Sequence, residues 1–424
     1  MPLPRRLTRL LGARLPDGSV VDVTLDGELV GAVEMATQDP RDRVTRSTPD
    51  VIDLSGHVLL TATAEPHAHL DKALSWDAIQ PPLGDLGLAI ASWRVYAATM
   101  TVEDIADRAR TQALRMLAQG TTAIRTHVDI LHGDDPLRGA HALVQVREEL
   151  RGLLDLELVA LAGPDVPDVD IEKAIELGVD LIGGSPHLAK DPSGDLQRLL
   201  AIAVRCGVGV DLHTDESLAG AVTLGELAAT VVDWAAPVSA GHCVRLGTLD
   251  ASTRDEIIDA VRRADIGIIA NPITNLYLQG WDDPVATPRG LTAARHLLDA
   301  GVRFAAGADN VRDPFNPLGR SDALETAMLL VTAGHLTIDE AYAAVSSGAR
   351  SVMSLPVAGV AVGARADLVA IRGSSLADVV ANAPADRFVI HNGALVARTV
   401  TTTEIATPTG VPSPTHLPTL TEIR

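Results

Sequence analysis

Aromatic side chains make up only 2% of this 424-residue sequence, cysteines number 2, and 35 basic residues face 55 acidic ones. Each shortage removes a class of protein. Cys206 and Cys243 cannot build a disulfide framework, which points to a reducing, cytoplasmic compartment and to two apolar thiols rather than nucleophiles. A formal net charge of -20 leaves no clustered cations for a phosphate backbone or an anionic bilayer, so neither nucleic acid nor membrane is an expected partner. Small neutral or cationic ligands stay open. No stretch of about twenty uninterrupted apolar residues offers a membrane span. Arg9 and Arg14 break the apolar segment after Met1-Pro2-Leu3-Pro4-Arg5-Arg6 before a signal-peptide core forms.

What remains is the composition of an ordinary folded protein, 46% apolar and 21% charged. The length suits a (β/α)8 TIM-like barrel accompanied by a small domain. Residues 1–57 show strand periodicity: Val21, Val23 and Leu25 alternate with Asp22 and Thr24, and Asp26-Gly27 turns the chain toward Leu29 and Val33. The pattern returns in 355–405, where two apolar stretches end in the hairpin signal Asn392-Gly393. The two chain ends are therefore expected to meet in one small β-sandwich domain, with the barrel, 58–354, inserted between them. Residues 406–424, rich in Pro and Thr, read as a loose tail.

Within the barrel segment, short apolar runs alternate with amphipathic helices such as Thr101 to Gln119, which Thr101 caps and Gly120 stops. Eight runs end near His67, His127, Leu161, His187, His213, His242, Asn271 and Asp309, the number a closed parallel barrel requires. Six of these ends carry His or Asp, on the face where such barrels place their active sites. The pivotal stretch is Glu65-Pro66-His67-Ala68-His69-Leu70-Asp71-Lys72, read as the end of a strand that begins in Val58-Leu59-Leu60. Residues two apart on a strand share a face, so His67 and His69 aim two imidazoles at one point. An isolated His-x-His is more often a hydrogen-bonded core pair; here more candidates follow in His213-Thr214-Asp215-Glu216, Gly241-His242-Cys243 and Asp309-Asn310. Three imidazoles and a carboxylate suit one divalent ion, Zn or Fe, with a position left for water.

These motifs, with Arg125-Thr126-His127-Val128-Asp129, Pro186-His187, Asn271-Pro272, Leu278-Gln279-Gly280 and Asp313-Pro314, resemble the amidohydrolase superfamily, and within it the bacterial cytosine deaminase and N-isopropylammelide aminohydrolase group. The resemblance implies that His67, His69, His213 and Asp309 bind one metal ion, that Glu216 moves protons and that His242 helps activate the attacking water. It also implies a small heterocyclic substrate whose ring carbon is attacked by metal-activated hydroxide, expelling ammonia or an amine, and homo-oligomers by analogy. Glu216 alternatively reads as a helix-start carboxylate. Lys190, beyond the fourth strand, reads as a solvated loop residue, so a second metal with a bridging lysine is not expected.

The chain departs from the cytosine deaminases at the substrate edge. Where they present a glutamine after the third strand, Val159 to Asp165 holds no amide side chain and Gly163 stands in the loop. Asn310 follows the metal carboxylate in place of a second acid, Phe315 replaces a tryptophan, and Lys72 follows His69-Leu70-Asp71, as in the relatives that remove amines from s-triazines. Lys72 is either a donor to the substrate or an ion-paired lysine. Trp281 joins Phe315 among the loop aromatics expected near a flat ring, while His127 and His187 are expected to hydrogen-bond behind the ligands. Two competing readings are ring opening of a cyclic amide and a barrel that has lost its chemistry; retention of every candidate ligand and of Glu216 opposes the second.

Overall fold

The computed structural model describes residues 3–36 and 49–402; the tail expected at 406–424 lies outside the described residues. Eight parallel strands form one sheet in sequence order: Thr63–Ala68, Thr121–Asp129, Asp155–Ala162, Leu181–Gly184, Val210–Thr214, Val238–His242, Gly267–Ala270 and Phe304–Ala306. A parallel bridge between Ala68 and Asp309 closes first to last. The closing seam therefore passes through the expected metal site.

Alternation along each strand separates packing from chemistry. Val210 and Leu212 of the fifth strand, Ala240 of the sixth and Ile124 and Val128 of the second join the main apolar cluster beneath the helices. The intervening Asp211, His213, Ser239, Arg125 and His127 point the other way, into the barrel. Helix Val102–Ala118 follows the sequence expectation: the Thr101 hydroxyl accepts a hydrogen bond from Asp104 N, and Ile105, Ala109, Ala113 and Met116 are buried. Gly120 ends it at φ 107°, where a Cβ would lie 2.9 Å from Val369.

A nine-stranded mixed sheet built from both chain ends encloses its own apolar cluster, which includes Leu10, Val23, Leu54, Leu59 and Ile390. Both expected hairpins are present: Asp26 pairs with Leu29, and His391 with Ala394 across Asn392 and Gly393, which sit at φ 51° and 71°. One expectation is corrected. Val58-Leu59-Leu60 does not begin the first barrel strand; His57–Thr61 pairs antiparallel with Leu368–Arg372 in the smaller sheet, and the chain crosses to the barrel at Ala62. Two strands joined by one residue with no turn signal between them read as one continuous strand, so the sequence pattern could not divide them. The runs expected to reach His187, Asn271 and Asp309 stop at Gly184, Ala270 and Ala306, leaving those residues on the connections beyond. No helix among the described residues is long and apolar enough to cross a membrane.

The sheets are joined electrostatically at His391, whose Nδ1 lies 3.0 Å from Asp367 and whose Nε2 lies 3.6 Å from Asp155, the first residue of the third barrel strand. Burial alone would lower this imidazole's pKa; the two carboxylates outweigh it and raise it from 6.5 to about 9. A raised folded-state pKa contributes stability that is complete below about pH 6.5 and lost as pH rises through about 9. The contribution is on the order of 3 kcal/mol. Denaturant titrations should therefore show the difference between native protein and His391→Gln shrinking between pH 6.5 and pH 9; a difference constant across that window would contradict the charged pairing.

Candidate active site

The first, fifth and eighth strands deliver the donors. His67 Nε2 and His69 Nε2 lie 3.3 and 3.1 Å from His213 Nε2, and Asp309 Oδ1 lies 3.2 Å from His69 Nε2 and 3.9 Å from His67 Nε2. All four side chains are buried. Among the described residues the Thr274 hydroxyl is the one donor near the Asp309 carboxylate, and the Nδ1 atoms of His69 and His213 have no partner. A carboxylate sealed among imidazoles with so little hydrogen bonding is costly unless a cation completes it. Burial first, and then the charges of the neighbouring imidazoles, or of Lys72 in the case of His69, hold His67, His69 and His213 well below the ordinary histidine range. Neutral imidazoles are the form that binds metal. The donor set of three nitrogens and one oxygen thus fits a divalent ion, with Asp309 as its anionic ligand.

Two further groups face the same point. His242 Nε2 lies 3.9 Å from Asp309 Oδ2, and its Nδ1 is 2.9 Å from the Asn275 amide oxygen and 3.8 Å from Glu216. Burial opposes protonation of His242, but Glu216 and Asp309 prevail and its pKa is raised. Glu216 stands between His242 and His187, whose Nε2 is 4.0 Å from its other oxygen. The helix-start alternative for Glu216 falls to its neighbour: Asp215 accepts from Thr223 N, Thr223 Oγ1 and Leu224 N at 2.8, 2.8 and 3.1 Å, at the start of helix Leu224–Thr230. Asp215 turns at φ 51°, which leaves Glu216 facing the cavity.

Behind the donors lies a buried polar layer. His67 Nδ1 is 3.2 Å from His127 Nε2, which is 3.4 Å from Asp211; Asp211 in turn accepts from Arg125 and Ser239, each at 2.8 Å. His127 therefore sits behind a ligand, where it steadies the His67 ring. Glu65 accepts from His67 N at 3.0 Å and Ala308 N at 2.9 Å, fastening the first strand to the loop that carries Asp309; burial pushes its pKa up to about 8. Gly241 clears the ring, since a Cβ there would meet His67 Cε1 at 2.7 Å. His242, Cys243 and Asp309 adopt φ of 67°, 50° and 59°, a region that costs non-glycine residues about 1–3 kcal/mol each and gathers at functional sites.

His69, His213, Asp309, Glu216 and His242 line one end of a cavity of about 830 Å³, with His67 buried behind them. Asn310, Phe315, Lys72 and Gly163 also line it. Lys72 is ion-paired: it is 3% exposed, lies 2.6 Å from Asp129 and 3.3 Å from Asp71, and lines the cavity. Trp281 is corrected. It is 53% exposed, outside the lining, packed edge-on to Tyr277 and against Gly84. Sequence reasoning missed Trp93, whose indole N–H donates to Asp129 at 2.6 Å beneath the Lys72 ammonium, and Arg198, whose guanidinium donates to the Gly163 carbonyl at 3.2 Å. Trp93 is buried on helix Leu86–Ala97 and carried no motif; scarcity of aromatics was its one signal.

Replacing His67 or Asp309 with Ala should leave less than about one tenth of the metal content of the native protein by elemental analysis. Gly241→Ala should weaken metal binding by about ten-fold or more while the fold persists, because it displaces a ligand without removing one. Full metal occupancy in the two ligand variants would refute the ligand set.

The amidohydrolase family model matches residues 88–403. Pterin deaminase from Rhizobium rhizogenes strain K84 is 31% identical over 398 residues, covering 91% of this chain and 87% of the relative. Among solved structures, N-isopropylammelide isopropylaminohydrolase from Burkholderia multivorans aligns with a TM-score of 0.78 and 29% identity over 92% of this chain and 99% of that one. The 5-methylcytosine deaminase of Klebsiella pneumoniae with phosphonocytosine has a TM-score of 0.83 at 24% identity, over 94% and 100%, a likeness of fold. With the family model spanning most of the barrel and the donors placed where a hydrolytic centre requires them, this chain belongs to the amidohydrolase family and is a hydrolase of carbon–nitrogen bonds.

Proposed function

We propose that this enzyme is a deaminase with a single metal ion, Zn or Fe, acting on an amino-substituted nitrogen heterocycle of the fused, pterin-like kind. The observation that carries the reading is the convergence of His67, His69, His213 and Asp309 on one point faced by Glu216 and His242, at one end of a cavity of about 830 Å³. That volume belongs with pockets for drug-sized ligands rather than with a close fit to one six-membered ring. The pterin deaminase similarity over 91% of the chain supports the same substrate size.

His67, His69, His213 and Asp309 would hold the divalent ion, which when bound would supply a water of lowered pKa as the nucleophile. Glu216 carries one proton of that water to the ring nitrogen and then the proton of the added hydroxyl to the departing amine. His242, held through Asn275, stabilises the charge that develops as the ring carbon becomes tetrahedral. The intact ring leaves with oxygen in place of the amino group, and ammonia departs. Lys72 keeps donors available at the wall beside His69, and Phe315 offers an apolar surface to the ring.

Gly163 is the substrate-edge feature that fits a second ring. A side chain there would meet nothing within 4 Å, so the end of the third strand opens the cavity instead of filling it. Lys72 and Asn310 also favour a second reading, release of an amine from an s-triazine, through the 29% identity to the solved isopropylaminohydrolase.

Ammonia release from metal-reconstituted protein should be measured on pterin, cytosine, isocytosine and s-triazines. Turnover of pterin with the ring intact is expected; an opened acid without ammonia would establish ring opening instead. Glu216→Gln should lower turnover by about 10³-fold or more and keep its metal, and near-native turnover would remove Glu216 from proton transfer. Gly163→Gln should lower kcat/KM on the fused ring by about ten-fold or more relative to a single ring. An unchanged ratio would separate Gly163 from substrate choice.

A further inference from the structure

The cavity is longer than the ring end requires. From the donors it runs below the loops after the second, third and fourth strands, with helix Leu86–Ala97 along one side. Leu86, Ile90, Leu131, Pro164 and Leu188 make much of this stretch apolar. Three cations, Arg94, Arg138 and Lys190, also line it. None of the three is in an ion pair among the described residues. Arg198, lining the same cavity, shows the contrast, paired with Asp168 at 3.0 Å and Asp195 at 2.8 Å.

Arg138 is held in place without being neutralised. Its Nη1 donates to the Asp135 carbonyl at 2.6 Å and its Nη2 to the Ala97 carbonyl at 2.5 Å, and its Nε is buried with no acceptor. Two acidic residues share this end. Asp191 accepts from Gly194 N at 3.0 Å at the start of helix Pro192–Cys206, and Asp165 is exposed at the rim. In a chain of net charge -20, three cations left without carboxylates along one cavity invite an anion.

We propose that the far end of the cavity is an anion subsite that binds a carboxylate carried on a substituent of the heterocycle. Arg138 supplies a positive charge held in place by its two carbonyl contacts, while Arg94 and Lys190, both exposed, close on the anion from solvent. The apolar stretch then covers the linker between ring and carboxylate. The assignment rests on the deaminase reading for which end holds the ring; the anion contact itself is independent of turnover.

The test compares pteroic acid, whose carboxylate stands off the pterin ring on a linker, with its methyl ester on metal-reconstituted enzyme, native and Arg94→Gln/Lys190→Gln, whose replaced side chains make no hydrogen bond among the described residues. Native enzyme should favour the acid over the ester by about ten-fold or more in kcat/KM, with the preference falling as salt rises from about 50 to about 500 mM. The double variant should bring the acid-to-ester ratio toward one, and Arg138→Gln should do the same. Calorimetric binding of both compounds to native and variant protein separates the two claims. If neither compound releases ammonia but the acid binds tighter and loses that advantage in the variants, the subsite stands and the pterin reading falls. Equal affinity for acid and ester in the native protein, or a preference unchanged in both variants, overturns the subsite.

Discussion

The structure depends on one electrostatic constraint: a carboxylate with no charged donor among the described residues bonded to it, Asp309, is enclosed with three neutral imidazoles at the seam where the barrel closes. Left alone, that arrangement opposes folding, because burial disfavours a charged group that nothing neutralises. A divalent cation held by these donors would turn the same geometry into a favourable one. The Ala68–Asp309 bridge and the Glu65 clasp to Ala308 N fasten the first strand at this seam.

The surrounding features follow from holding this point still. Arg125, Asp211 and Ser239 replace what would be an apolar layer inside the barrel, and Asp211 reaches the ligands through His127. Left-handed backbone at Asp215, His242 and Asp309 aims side chains that an ordinary strand end would turn elsewhere. Neighbouring carboxylates divide the work: Asp215 is occupied by the backbone N–H groups of Thr223 and Leu224, so Glu216 stays available to the cavity. Strain and buried charge are thus concentrated in the site, and the apolar packing beneath the helices carries them.

Much of this was legible in the sequence, for reasons that can be stated. His67 and His69 lie two apart on a strand, and the other candidate residues follow strand-like runs, so period-two alternation and barrel topology placed them together. The Asn392-Gly393 hairpin and the Thr101 cap depend on local conformational preferences and were equally readable. The crossing at Ala62 was hidden because a single residue joins the two strands and no turn residue separates them. Trp281 was misplaced because loop position says nothing of direction, and its ring turned toward Gly84. The far cavity was invisible, since Arg94, Arg138 and Lys190 are distant in sequence and ordinary as single residues; only the fold brings them to one cavity.

The most direct test of the central claim is anomalous X-ray scattering from crystals of the metal-loaded enzyme. The account predicts one ion about 2.0–2.2 Å from His67 Nε2, His69 Nε2, His213 Nε2 and an Asp309 oxygen, on the side facing Glu216. An ion seated instead among His67 Nδ1, His127 and Asp211, another group of the described residues able to hold one, would contradict it.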